Sequence, residues 1–185
     1  MSKITCFIAT TIDGFIADEL GGVSFLDNIN DSGDDYGYTK FFDSVDAVIM
    51  GSKTYEQILS FGGYPYANKK SFVITHRVDE LKALTTFQDT IEWPIEFFGG
   101  DIGPIIDKLR NDGRYEHLWL VGGGSLVKQL IELGVLDELR IFVVPTLLGK
   151  GIPLFDQVNS FRFFTLLETI TYAKGVVELH YDLRR

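Results

Sequence analysis

The chain has 185 residues, 45% of them apolar, a single cysteine and a formal charge of −9. That length suits one domain, at roughly 100–200 residues apiece, and that apolar content excludes intrinsic disorder. The acidic balance excludes general binding to nucleic acid or anionic membrane, which needs a basic footprint, while Cys6 by itself allows neither an intrachain disulfide nor a cysteine-built metal site.

No apolar run approaches the roughly 18 residues of a membrane span. Met1-Ser2-Lys3 leads into Ile4–Ala9, which imitates a short leader, but Thr10-Thr11-Ile12-Asp13-Gly14 continues as strand and turn. A cytoplasmic location is the expectation. Ile4–Thr10 predicts a buried strand, and Asp13-Gly14 reads as a turn between two short strands rather than as a catalytic acid. Tyr36–Phe42 predicts a short aromatic helix, and Ala47–Met50 a second strand. From Ser52 a helix buries Tyr55, Ile58 and Leu59, with Ser52 or Thr54 as its cap and Glu56 in support.

Ser71–Thr75 and Ile95–Phe98 predict the third and fourth strands. Ile102, Ile105, Ile106 and Leu109 fall at i, i+3, i+4 and i+7, one face of an amphipathic helix. His117–Val121 is the fifth strand, and a helix from Gly124 or Ser125 buries Leu126, Val127, Leu130 and Ile131 before stopping near Gly134. Beyond Leu136 the helices cease. Leu139–Thr146, Phe161–Tyr172 and Val176–Leu183 are longer strand-like stretches, the last two joined by a hairpin signal at Lys174-Gly175. The expectation is a single α/β domain: a mostly parallel twisted sheet, flanking helices in three layers, and an antiparallel C-terminal edge.

Three turns at carboxyl ends of strands are candidates for phosphate binding. Val121-Gly122-Gly123-Gly124-Ser125-Leu126 opens a helix, where glycines admit a ligand close to backbone amides; it is also simply a tight strand-to-helix turn. Met50-Gly51-Ser52-Lys53-Thr54-Tyr55 repeats the arrangement, with Lys53 either solvated or gripping a pyrophosphate. Thr75-His76-Arg77 puts an arginine where doubly wound folds select a 2′-phosphate, though strand-end arginines are commonly just hydrated. Their shared position at one edge of the sheet favours a ligand.

These segments resemble the dihydrofolate reductase superfamily, and more closely the reductase domain (the RibD C-terminal domain) of the riboflavin-biosynthesis deaminase-reductase with its stand-alone bacterial relatives. The resemblance runs through Ala9–Ala17 (ATTIDGFIA), Val48–Tyr55 (VIMGSKTY), Phe72–Arg77 (FVITHR), Leu118–Leu126 (LWLVGGGSL) and Leu136–Phe155 with its LDELR and VVPTLLGKGIPLF runs. It implies NADPH-dependent reduction of a C=N bond in a pterin-like or pyrimidine-like heterocycle. It further implies that the Ala9 and Ile16 backbone holds the nicotinamide carboxamide. Gly51, Ser52, Lys53 and Thr54 would meet the pyrophosphate and phosphorylated ribose, Thr75, His76 and Arg77 the adenosine phosphate, and Val121 to Leu126 would close over the pyrophosphate. Where the riboflavin-type reductases place an acid before the glycine triplet, this chain has Val121.

Reducing C=N also needs a proton at nitrogen. Asp35 is the first candidate and Asp27 the second, in a stretch that also holds Asp31 and Asp34; capping of the following helix is the competing role for Asp34 and Asp35. Phe25, Tyr36, Tyr38, Phe41 and Phe42 either stack on a flat substrate or belong to the core. His76, His117 and His180 have no metal-ligand spacing. Rival expectations are a nucleotide-binding protein without turnover and a structural homodimer. The apolar content of Leu139–Pro145 and Phe161–Leu167, together with the habit of riboflavin-type relatives, points to a homodimer; the alternative is that this chain's own helices cover the second face.

Overall fold

A computed structural model describes residues 1–30, 32–87, 91–158 and 161–183. Asp31 lies outside them. In chain order the elements are β1 (Lys3–Thr11), β2 (Phe15–Ala17), α1 (Asp27–Asn30), α2 (Tyr38–Ser44), β3 (Ala47–Gly51), α3 (Ser52–Ser60), β4 (Lys70–Ile74), α4 (Val78–Leu84), β5 (Glu96–Phe98), α5 (Ile102–Asn111), β6 (His117–Gly122), α6 (Gly124–Leu133), β7 (Glu138–Val144), β8 (Ile152–Pro153), β9 (Thr165–Thr171) and β10 (Val177–Asp182). Eight strands form one sheet in the order β5-β4-β3-β6-β1-β7-β10-β9, and β2 pairs with β8 in a separate ribbon. Pairing is parallel from β5 to β7 and antiparallel from β7 through β10 to β9.

The central strands are apolar on both faces because both faces are covered. Ala47 and Ile49, Leu118 and Leu120, and Leu139 and Ile141 face α5 and α6, meeting Ile106, Leu109, Val127 and Leu130. Their alternates Val48, Met50 and Trp119 face the other way onto Phe41 of α2, Tyr55 and Ile58 of α3 and Leu81 of α4. Phe142 and Val144 continue that second face as a smaller cluster with Phe25, Ile29 and Val176. Period-2 alternation thus becomes a three-layer sandwich.

Three expectations change. Phe161–Tyr172 is strand only over Thr165–Thr171. The apolar residues of β7, offered as a surface for assembly, are absorbed by the chain itself: β7 is an interior strand between β1 and β10, and Leu139, Ile141, Phe142 and Val144 are all buried. What stays exposed is the edge strand β9, with Leu166 and Leu167 about half uncovered, and Phe161 and Phe163 before it almost fully so. Finally, α4 was not anticipated; Val78–Leu84 places just one residue, Leu81, in the core and so carries little periodicity.

Asp13 has the structural role its Asp-Gly step implied. Gly14 takes φ +82°, and the Gly14 N–H donates to Thr11 O at 3.0 Å, closing the turn. The Asp13 carboxylate accepts from the Thr11 hydroxyl at 2.5 Å and from the Gly149 N–H at 2.7 Å, which holds it below the usual carboxylate range. This ties the end of β1 to the distant LLGKG run. Close approach explains the last glycine of that run: a Cβ on Gly151 would overlap the Ala17 carbonyl across the β2–β8 ribbon.

Candidate active-site cleft

Adjacent strands β3 and β6 send their helices to opposite faces of the sheet, α3 to the Trp119 face and α6 to the Leu118 face. The crevice this opens at the carboxyl ends of the strands is where open α/β sheets bind ligands. Here it is a cleft of ≈ 1200 Å³.

Both helices reach the cleft without a side-chain cap. The N-cap of α3 is Gly51 and that of α6 is Gly123, each in extended conformation, and neither start has a side-chain cap hydrogen bond. The capping roles expected of Ser52 or Thr54 are therefore not taken up, since the helix starts one residue too early for Ser52 to precede it. Two sets of first-turn amides, with the partial positive charge of two helix dipoles, are left directed at one space. The turns also touch: the Thr54 hydroxyl oxygen lies 3.3 Å from where a Cβ on Gly123 would sit and 3.8 Å from that of Gly122. Gly122 has φ +145° and the Gly122–Gly123 peptide bond is cis. Gly124 is forced by packing, because its Cβ would lie 2.6 Å from the Pro153 carbonyl oxygen.

Ala9, Ile16, Gly51, Ser52, Lys53, Thr54, Thr75, His76, Val121, Gly122, Gly123, Gly124, Ser125 and Leu126 all line this cleft. Segments separated by as many as 117 positions, from Ala9 to Leu126, are brought together by the parallel register of β1, β3, β4 and β6. Arg77 is the exception among the expected cofactor residues. It stands at the N-cap of α4, outside the lining, with its guanidinium paired to Glu56 through two hydrogen bonds of 2.8 and 3.0 Å and to Glu80 at 2.9 Å. The Glu56 bonds are the main reason its pKa is raised.

The acid candidates lie elsewhere. Asp35 is outside the lining and exposed; one carboxylate oxygen accepts from the Gly37 N–H at 2.9 Å and the other from the Thr39 N–H at 3.0 Å, at the start of α2. Hydrogen bonds from Thr39 lead the causes that hold its pKa down, which suits a capping anion rather than a proton donor. Asp27 is the exposed first residue of α1, next to the lining residue Leu26. Among the described residues two carboxylates line the cleft: Glu19, exposed on the loop after β2, and Glu56, engaged with Arg77. Asp34 receives the Tyr36 N–H at 2.8 Å, again a turn role.

Of the aromatic candidates Phe25 lines the cleft, whereas the buried Phe41 stacks on Phe7 at 4.4 Å and the partly exposed Tyr38 on Phe42 at 5.6 Å, both outside the lining. Tyr36 faces Tyr172 edge-on and donates its hydroxyl to Ile29 O at 2.8 Å. Phe7, Val23 and Leu26 join Phe25 in an apolar wall not anticipated residue by residue; no short motif marks them. His117 bonds the Thr5 hydroxyl at 2.8 Å and His180 the Glu138 carboxylate at 3.0 Å, both away from the cleft; His76 is on its rim.

The family profile of the RibD C-terminal domain matches residues 65–177. The uncharacterized protein YwjB of Bacillus subtilis is 32% identical over 180 residues, covering 97% of each chain. Among solved structures, a protein attributed to riboflavin biosynthesis from Shewanella sp. PV-4 superposes with a TM-score of 0.86 at 28% identity over the whole of both chains. Dihydrofolate reductase from Enterococcus faecalis, in complex with NADP(H), superposes with a TM-score of 0.61 at 17% identity, over 97% of this chain and 95% of that one. The fold is that of the dihydrofolate reductases, and the chain belongs to the RibD C-terminal domain family.

Proposed function

We propose that the protein is an NADPH-dependent reductase that delivers hydride to a C=N bond of a small pterin-like or pyrimidine-like heterocycle. The observation that carries this reading is the convergence of two uncapped helix N-termini on a cleft whose far wall is apolar. Amides at Gly51–Thr54 and Gly123–Ser125 fit a pyrophosphate, the backbone there being free of side-chain bulk: a Cβ on Gly51 meets nothing within 4 Å. Lys53 adds a cation at the same turn. Phe7, Ala9, Ile16, Val23, Phe25 and Leu26 suit flat rings. Family membership and the NADP(H) complex of the Enterococcus faecalis enzyme support the same assignment.

When bound, the nicotinamide supplies hydride; the chain's own residues position, desolvate and protonate. The β1 and β2 backbone at Ala9 and Ile16 would hold the carboxamide, and the apolar wall of Phe7, Val23, Phe25 and Leu26 would keep water from the bound rings. Glu56 is committed to Arg77, and Asp35 caps α2. With those two engaged, the proton is assigned to water entering the cleft beside Glu19, the remaining lining carboxylate among the described residues. Screening NADPH oxidation against a panel of dihydropterins and aminopyrimidinones tests the reading. Binding of NADPH with no oxidation of it by any member would favour a nucleotide-binding protein without turnover, and absence of binding would overturn the cleft assignment.

A further inference from the structure

Resting on the assignment of the cleft to a nicotinamide dinucleotide, we infer that Glu56 sets cofactor choice: by holding Arg77 in a two-pronged pair, it withholds the guanidinium from the 2′-phosphate and narrows the preference for NADPH over NADH. Four observations meet at this corner. Thr75 and His76 line the cleft at the end of β4, and Arg77 follows them directly. Lys53 and Glu56 stand three residues apart on α3, on one helix face, and both line the cleft. Glu56 uses both carboxylate oxygens on Arg77, at 2.8 and 3.0 Å. Glu80, at 2.9 Å, takes a second bond from the same Nη1.

The charge balance follows. Lys53 and Arg77 bring two positive charges against Glu56, Glu80 and, beside Glu80 in the first turn of α4, Asp79, so the corner has no net positive charge. A ribose phosphate carrying nearly two negative charges meets no net attraction there. It gains Arg77 only by displacing a carboxylate of equal geometric fit, and exchanging one charge-assisted fork for another yields little. A hydroxyl at the same ribose position suffers no such competition, and a carboxylate nearby is the usual acceptor for it. Glu56 therefore weighs against the phosphate and in favour of the hydroxyl.

The test titrates NADP⁺ and NAD⁺ by calorimetry into the wild type, E56Q, E80Q and the double variant E56Q/R77Q, with no turnover involved. Because an exposed pair of this kind is weak and screened by solvent, E56Q is expected to raise the ratio of NADP⁺ to NAD⁺ affinity by up to about fivefold. E80Q, which removes one carboxylate but leaves both Glu56 bonds in place, raises it less, and the gain of E56Q disappears in E56Q/R77Q. An unchanged ratio in E56Q, or the same gain without Arg77, overturns the inference while leaving the cleft assignment standing. If neither nucleotide binds any of the four proteins, the assignment falls and the inference with it.

Discussion

The glycine triplet gives three neighbouring substitutions, of which one should spare stability and two should not. Gly123 has φ −81° and ψ 178°, a conformation open to any residue, and its added Cβ would meet just the Thr54 hydroxyl, at 3.3 Å. A hydroxyl on a rotatable side chain yields, so Gly123→Ala should alter stability by less than ~1 kcal/mol. Its methyl would nevertheless stand at the amides proposed to hold the pyrophosphate. Losing one charge-assisted hydrogen bond, at about 1.5–3 kcal/mol, raises the NADPH dissociation constant ~10- to 150-fold. Gly124→Ala meets a backbone carbonyl at 2.6 Å, about 0.8 Å inside ordinary contact, and neither α6 nor β8 can turn aside. Overpacking of that kind costs ~1–3 kcal/mol, or about 2–12 °C in melting temperature at this chain length. Gly122→Ala pays for a φ of +145°, again about 1–3 kcal/mol. Circular dichroism melts and fluorescence titration separate Gly123→Ala from the other two. Wild-type NADPH affinity in Gly123→Ala would reduce the triplet to a turn, and a Gly123→Ala melt as low as that of Gly124→Ala would refute the packing argument.

The remaining expectations concern groups outside the cleft. Asp35→Asn should leave turnover and cofactor affinity unchanged and weaken α2 alone. Because the folded pKa of Asp35 lies below its ordinary 3.8, its contribution is complete above that value and lost as pH falls through the folded one, so an acid-unfolding profile that Asp35→Asn does not change would contradict the capping role. Glu178 is fully buried, accepting from Arg140 at 2.5 Å and from the Tyr172 hydroxyl at 2.8 Å; Glu178→Ala strands the guanidinium and should cost ~3–5 kcal/mol by urea denaturation. A loss below ~1 kcal/mol would mean that water replaces the carboxylate. We also propose a homodimer through the edge strand β9, where Leu166 and Leu167 stay half exposed beside unpaired backbone. Light scattering should give twice 20.8 kDa, with Leu167→Lys shifting it toward monomer, and a monomeric wild type at all accessible concentrations would remove the proposal.

The strands and most helices were legible because short-range burial writes a period into the sequence: Ile102, Ile105, Ile106 and Leu109 announce α5, and the apolar runs at Ile4, Ala47, Ser71 and His117 announce strands covered on both faces. The glycine turns were legible for a similar reason, since close approach at Gly124 and positive φ at Gly14 or Gly122 leave no alternative residue. Three things came from closure of the chain alone. Asp13 finds its partners at Leu148 and Gly149, more than 130 residues away. The apolar excess of β7 is consumed by β1 and β10 on its two edges and by helices and the Phe25 cluster on its faces, which no local pattern distinguishes from an exposed strand. Arg77, read from sequence as either selecting a 2′-phosphate or simply hydrated, is taken by Glu56 because α3 and α4 pack on the same face of the sheet. Periodicity reports whether a side chain is buried; which charge stands beside which is set by the packing of distant elements.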